Sequence, residues 1–139
     1  MQDLPSGVHL LNDCYNANPG SMATALATLA ELKGAGRSAA ALGDMLELGT
    51  RAVEAHRELG RQAAGAGVDF LVIYGNHRGD VAEGAKGAGL SGPQIFPVTD
   101  KEEGAQLLKE FLRPGDWLLV KGSRSVHMEH IVDLLKEES

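Results

Sequence analysis

The sequence predicts an α/β domain: a mainly parallel, Rossmann-like sheet of five to six strands with helices on both faces. Three observations carry this expectation. Short apolar runs alternate with longer segments of helical periodicity along the whole chain. The clearest run, Asp69–Gly75 (DFLVIYG), is apolar throughout, as a strand covered on both faces must be. Gly43, Gly75 and Gly122 follow apolar runs, so they mark strand ends rather than low-complexity sequence.

The elements follow in order. MQDLPSG, residues 1–7, reads as an interdomain linker or an artificial chain start, so a single domain is expected over 8–139. Val8–Asp13 is the first strand. In Pro19–Lys33, Met22, Leu26, Leu29 and Leu32 share one helical face, with Asn18 as N-cap and Pro19 at the first helical position. Ser38–Asp44 is a second, weaker strand. Thr50–Gly67 is a helix with Thr50 as N-cap and glycines at its end; around His56 it reads as a solvated face. After Asp69–Gly75 comes a short helix, Arg78–Gly89, weakened by glycine. Gln94–Val98 is a strand that Pro97 assigns to an edge or a strand end. Thr99–Leu112 is helical, with Thr99 and Glu102 spaced as a capping box. Asp116–Gly122 is the fifth strand, and His127–Glu138 the last helix, with Met128, Ile131, Val132 and Leu135 in one stripe.

At 139 residues and 43% hydrophobic, the chain suits one domain with one core. A net charge of −6 argues against nonspecific nucleic-acid binding, but leaves room for a local cationic pocket. The single cysteine, Cys14, excludes an internal disulfide and fits a reducing compartment. It reads as a small packed residue rather than a nucleophile, since no histidine adjoins it. There is no apolar run long enough to span a bilayer and no signal-peptide pattern, so a cytoplasmic protein without membrane insertion is expected.

Ligands of open α/β sheets bind outside the carboxyl ends of the strands. The loops there are DCYNANPGS, GDMLELG, GNHRG and KGSRS, and they hold nearly every polar residue the fold leaves unexplained. The first offers Asp13, Asn16 and Asn18 before a helix N-terminus; Asp13 could accept both hydroxyls of a ribose. Asn18 has a plainer reading as a helix cap. The second offers Asp44 and Glu47, the latter either an interaction residue or a solvated carboxylate. In the fourth, Lys121, Ser123 and Arg124 suit a carboxylate or phosphate, with Ser125 capping the helix that follows. The Lys121 stem is expected to emerge toward a ligand. His77 and Arg78 could touch a ligand. His127 and His130 have the spacing of a shared metal, but no further ligand set accompanies them, and no metal site is expected. No G-x-x-x-x-G-K-[ST] loop occurs, so nucleotide phosphates would have to be cradled outside this chain.

Together, NDCYNANPGSM, ALGDMLELG and VKGSRSVHMEHIV resemble the C-terminal domain of the Mur ligases over about Val8 to Leu135. Within that family they are nearest to the members that add D-alanyl-D-alanine. YNANP-S alone is shared with folylpolyglutamate synthases, a rival that KGSRSVHME disfavours. A stand-alone small-molecule-binding domain is the other alternative. The resemblance implies the third domain of a three-domain enzyme of peptidoglycan precursor synthesis, inactive alone, with its own N-terminal and central domains as partners. ATP and Mg2+ would be bound mainly by the central domain, where the P-loop lies. The tripeptide carboxylate of UDP-N-acetylmuramoyl-tripeptide would become an acyl phosphate that D-alanyl-D-alanine attacks. Asp13 would hold the ATP ribose, and Tyr15, Asn16 and Asn18 would shape the hinge and the nucleotide edge. Asp44, Glu47, Lys121, Ser123 and Arg124 would face the acceptor dipeptide or the acyl phosphate.

Overall fold

The computed structural model describes residues 2–14 and 16–137. Tyr15, one of the expected site residues, lies outside them. Six strands form one sheet: β1 (Gln2–Asp3), β2 (His9–Asp13), β3 (Ser38–Leu42), β4 (Phe70–Tyr74), β5 (Ile95–Val98) and β6 (Trp117–Lys121). Their spatial order is β1-β2-β6-β3-β4-β5. Every pairing is parallel except β1 with β2. The mainly parallel α/β fold is as expected. The first residues, however, are not only a linker: Gln2–Asp3 adds an antiparallel edge strand, and Leu4 is buried.

Among the described residues, five α-helices cover the sheet: α1 (Pro19–Lys33), α2 (Ala52–Gly65), α3 (Arg78–Gly87), α4 (Lys101–Phe111) and α5 (Glu129–Lys136). Side chains alternate across a strand, so each inner strand feeds two cores. Ala40, Leu42, Leu71, Ile73 and Leu119 pack with Met22, Leu26 and Leu29 of α1, Leu59 and Ala63 of α2, and Val81 and Ala85 of α3. Ala39, Ala41, Val72, Leu118 and Val120 pack with Ala105 and Leu108 of α4, and Ile131, Val132 and Leu135 of α5. This two-sided demand is why β3, SAAAL, is buried at all five positions although its sequence signal is weak. β5, with Pro97, lies at the sheet edge, where a missing N–H is tolerated.

Helix starts were harder to read. Asn18 caps α1 as expected: its Oδ1 accepts from the Ser21 N–H at 2.9 Å, while Ser21 Oγ accepts from the Asn18 N–H at 3.1 Å. The other three differ. Thr50 lies in a 3-10 turn, Gly49–Arg51, that runs into α2. Asp100, not Thr99, caps α4, accepting from the Glu103 N–H at 2.7 Å. Ser125 sits in a second 3-10 turn, Arg124–Val126, and α5 begins only at Glu129 without a side-chain cap. A side-chain cap needs a particular extended backbone at one residue, and sequence spacing leaves that residue ambiguous by one or two positions.

Helices α2 and α3 cross on a pair of glycines. A Cβ on Gly84 would lie 1.9 Å from the Arg57 carbonyl oxygen, and one on Gly60 2.0 Å from that of Val81. Both neighbours are helix backbone, which cannot step aside. Gly84, one of the glycines read from sequence as a weakness of α3, is therefore what lets it dock against α2. Gly84→Ala should lower stability by about 1–3 kcal/mol despite alanine's better helix propensity, seen as a lower denaturant midpoint. An unchanged or raised midpoint would mean that the two helices are not in this contact.

Candidate functional site

Strand β6 lies between β2 and β3, but its chain continues to the opposite face. β2 and β3 lead to α1 and α2 over one core, whereas β6 leads to α5 over the other. Such a switch opens a crevice at the carboxyl ends of the strands. A groove of about 610 Å³ lies there, lined by Asn16, Ala17, Asn18, Leu46, Glu47, Leu48, Ser123, Arg124, Ser125 and His127. It thus unites three of the four loops expected from sequence.

The expected residues divide between those that build this rim and those that remain free. Lys121 is not ligand-facing as expected. Its residue is fully buried, and its ammonium donates to Asp13 Oδ2 at 2.5 Å and to the Asn16 carbonyl at 2.8 Å. The reason is register: Lys121 pairs with Asp13 on one side and Leu42 on the other, so it ends a central strand rather than an edge. Asp44 is likewise internal. Its carboxylate accepts the Asn76 N–H at 2.8 Å and the His77 N–H at 3.0 Å. It lies over Gly75, where φ is +123° and a Cβ would come within 2.5 Å of the carboxylate. Ser123 is buried and joins two loops: its Oγ accepts the Leu46 N–H at 3.1 Å, and its N–H donates to the Asp44 carbonyl at 3.0 Å.

Glu47 and Arg124 stand apart. Both are exposed, and their side chains take part in no hydrogen bond or ion pair among the described residues. Glu47 has a φ of 63° and His127 a φ of 58°; among the described residues no other non-glycine residue has positive φ. Both line the groove. Such backbone costs about 1–3 kcal/mol per residue and tends to gather at functional sites. Asn16 is exposed at the rim, and the Asn18 side chain is occupied by its cap.

Asp13 also lines a second groove, of about 460 Å³, with Leu11, Asn12, Gly20, Ser21, Thr24, Ala25, Thr28 and Leu119. Its side chain is 51% exposed, and one carboxylate oxygen is engaged by Lys121. It can therefore accept a further hydrogen bond on that side of the sheet.

Sequence reasoning missed His56. Expected on a solvated face, it is fully buried. Its Nε2 accepts the Met45 N–H at 3.0 Å, and its Nδ1 lies 2.7 Å from the Ala52 carbonyl. Its ring stacks on His77 at 4.2 Å between centroids. Burial, aided by His77, lowers its pKa against the opposing pull of the Ala52 carbonyl and of Asp44 and Asp80. Its neighbours Glu54, Arg57 and Glu58 are polar, so nothing local marked it as buried. His77 bonds Asp80 at 2.9 Å, and Arg78 donates to the Gly75 carbonyl. His127 and His130 bond Glu129 and Glu102 respectively. Cys14 is packed as expected. Burial first, and the nearby carboxylates of Glu129 and Asp13 next, push its thiol up to about 12.

The fold is thus a mainly parallel α/β domain with a groove at its carboxyl edge that carries free charges of both signs. The chain belongs to the family described as Mur ligase, glutamate ligase domain, whose pattern matches residues 1–124. It is 36% identical over 132 residues to the UDP-N-acetylmuramoyl-tripeptide–D-alanyl-D-alanine ligase of Bacillus subtilis, covering 95% of this chain and 29% of that protein. The crystal structure of MurF from Acinetobacter baumannii superposes with a TM-score of 0.80 at 30% identity, over 99% of this chain and 30% of that one. MurF ligase from Thermotoga maritima in complex with ADP gives 0.78 at 29% identity, with the same coverage. The chain thus spans less than a third of the length of these relatives.

Removing either member of the Lys121–Asp13 pair should have unequal effects. Asp13→Ala leaves a buried ammonium with one carbonyl, at a cost of about 1–3 kcal/mol, discounted because Asp13 is half exposed. Lys121→Met removes the buried charge and leaves a carboxylate that water can reach, so it should cost less. Denaturant titration of both variants checks the order, and the reverse order would show that the pair does not anchor this rim. The raised pKa of Cys14 leaves almost no thiolate at pH 8. Iodoacetamide should therefore label it only on unfolding; rapid labelling of the native chain would contradict its packed, uncharged state.

Proposed function

We propose that this chain is the C-terminal part of a cytoplasmic, ATP-dependent ligase that joins D-alanyl-D-alanine to UDP-N-acetylmuramoyl-tripeptide, the reaction for which its relatives are named. The supporting observation is the groove at the strand-order switch, where Arg124 and Glu47 remain uncommitted while their neighbours are locked.

Each free group suits part of this chemistry. Joining a carboxylate to an amine places negative charge beside the reacting carbon and brings in an acceptor with a carboxylate at its far end. A planar guanidinium grips either by paired N–H donors. Glu47 offers a counter-charge for an ammonium. Asp13, half exposed with one oxygen tied to Lys121, fits the hydroxyls of a ribose in the second groove, beside the hydroxyls of Ser21, Thr24 and Thr28. ATP with Mg2+ supplies the phosphoryl group that activates the tripeptide carboxylate. With no phosphate loop in this sequence, the metal and the phosphates fall to the ligase's central domain. Lys121, Asp44 and Ser123 then act by holding the loops that carry Asp13, Glu47 and Arg124.

In the intact ligase, Arg124→Ala should lower kcat/KM for D-alanyl-D-alanine by about ten- to a thousandfold, the loss of one or two charge-assisted contacts. Arg124→Lys should recover little, because an ammonium cannot copy the planar fork. The melting temperature of the chain should hardly move, since exposed, unpaired Arg124 supports no fold contact. A variant that ligates normally would remove Arg124 from the site.

A further inference from the structure

The loop from Gly43 to Gly49 presents Glu47 to the groove and is held by side-chain and backbone groups of other elements. Ser123 Oγ holds Leu46, the backbone N–H groups of Asn76 and His77 hold the Asp44 carboxylate, and His56 Nε2 holds Met45. The His56 contact differs in kind, because it can change sign. A nitrogen that accepts the Met45 N–H carries no proton, so the imidazole proton sits on Nδ1 and donates to the Ala52 carbonyl. A second proton would turn Nε2 into a donor facing the Met45 N–H, itself a donor. Asp44 Oδ1 lies 3.9 Å away, beyond hydrogen-bond distance, and is already bonded to the His77 N–H.

We infer that His56 is a positioning residue for the groove: its unprotonated Nε2 holds the loop that carries Glu47, and protonation releases that loop. The groups facing His56 are Asp44 from the loop, and His77 and Asp80 from the start of α3. His77 opposes the added charge and the two carboxylates favour it, while burial opposes it most. The folded pKa therefore lies below the ordinary value of 6.5. The stabilisation is fully present above that value and is lost as pH falls through the folded pKa. Met45, fully buried next to the bonded N–H, is pinned by the same contact, and Glu47 holds its strained φ of 63° two residues on. Loss of one bond should therefore relax the strained segment first, while the sheet beneath keeps its ladder. That the loop serves an acceptor rests on the function proposed above; that His56 holds it does not.

The test uses hydrogen exchange by NMR on the 139-residue chain, with the sheet amides of Val72 and Val120 as internal control. In the unmodified chain, protection of Met45 and Leu46, corrected for intrinsic exchange, should fall by about tenfold or more as the His56 ring titrates below about pH 6.5. His56→Leu, which offers no acceptor, should lack that protection at every pH. His56→Gln, whose amide oxygen can take the Met45 N–H, should keep it without pH dependence. Loop amides that stay protected in His56→Leu, or while His56 titrates, would overturn the inference. So would a pH dependence that survives in His56→Gln. In the intact ligase, His56→Leu should raise KM for D-alanyl-D-alanine by about tenfold and leave KM for ATP within about twofold. Loop release with an unchanged acceptor KM would overturn the acceptor reading of the groove and leave the role of His56 in the loop standing.

Discussion

The ammonium of Lys121 ends the central strand of the sheet, held by Asp13 at 2.5 Å and by the Asn16 carbonyl at 2.8 Å, with 1% of its side chain exposed. A charge in that position must have partners, because bulk water cannot reach it. Those partners are the last residue of β2 and, three residues on, a carbonyl of the loop that follows, so that loop is drawn down onto the end of β6. The groove inherits its floor from that tie. Asn16, Ala17 and Asn18 line it, and the Asn16 carbonyl is itself fastened to Lys121.

The same constraint recurs around the carboxyl edge. A parallel ladder stops there, and the loop N–H groups that follow have no neighbouring strand to bond. Asp44 takes two of them, His56 and Ser123 one each. These side chains come from β3's loop, α2 and β6's loop. The edge is thus knitted across elements that are far apart in sequence. Polar residues gathered in the loops turn out to have two jobs. Some are scaffold, and the scaffold leaves Glu47 and Arg124 uncommitted at the surface of the groove.

This division explains which expectations survived. Lys121 and Arg124 looked alike in sequence, as two cations in one short motif. Only Gly122 and Ser123 separate the buried strand end at Lys121 from the exposed 3-10 turn at Arg124, and over that distance the surroundings of the two cations reverse. Asp44 and Glu47 diverge in the same way. His56 has charged helix neighbours that suggest a solvated face; the Gly43–Gly49 loop and His77, both from outside that helix, bury it. Gly84, which reads as a weakness of its helix, meets Gly60 where α2 and α3 cross.

The sequence by itself determined the fold class, the succession of strands and helices after the first edge strand, the Asn18 cap, and the loops in which a site had to lie. Those features rest on periodicity and local backbone chemistry, which act over a few residues. Its motif order also pointed to the family. Tertiary structure alone decided the placement of β6 between β2 and β3, and with it which polar side chains are buried. A side chain's surroundings at a strand end depend on the strands beside it, and here those neighbours lie 108 residues apart in the Asp13–Lys121 pair.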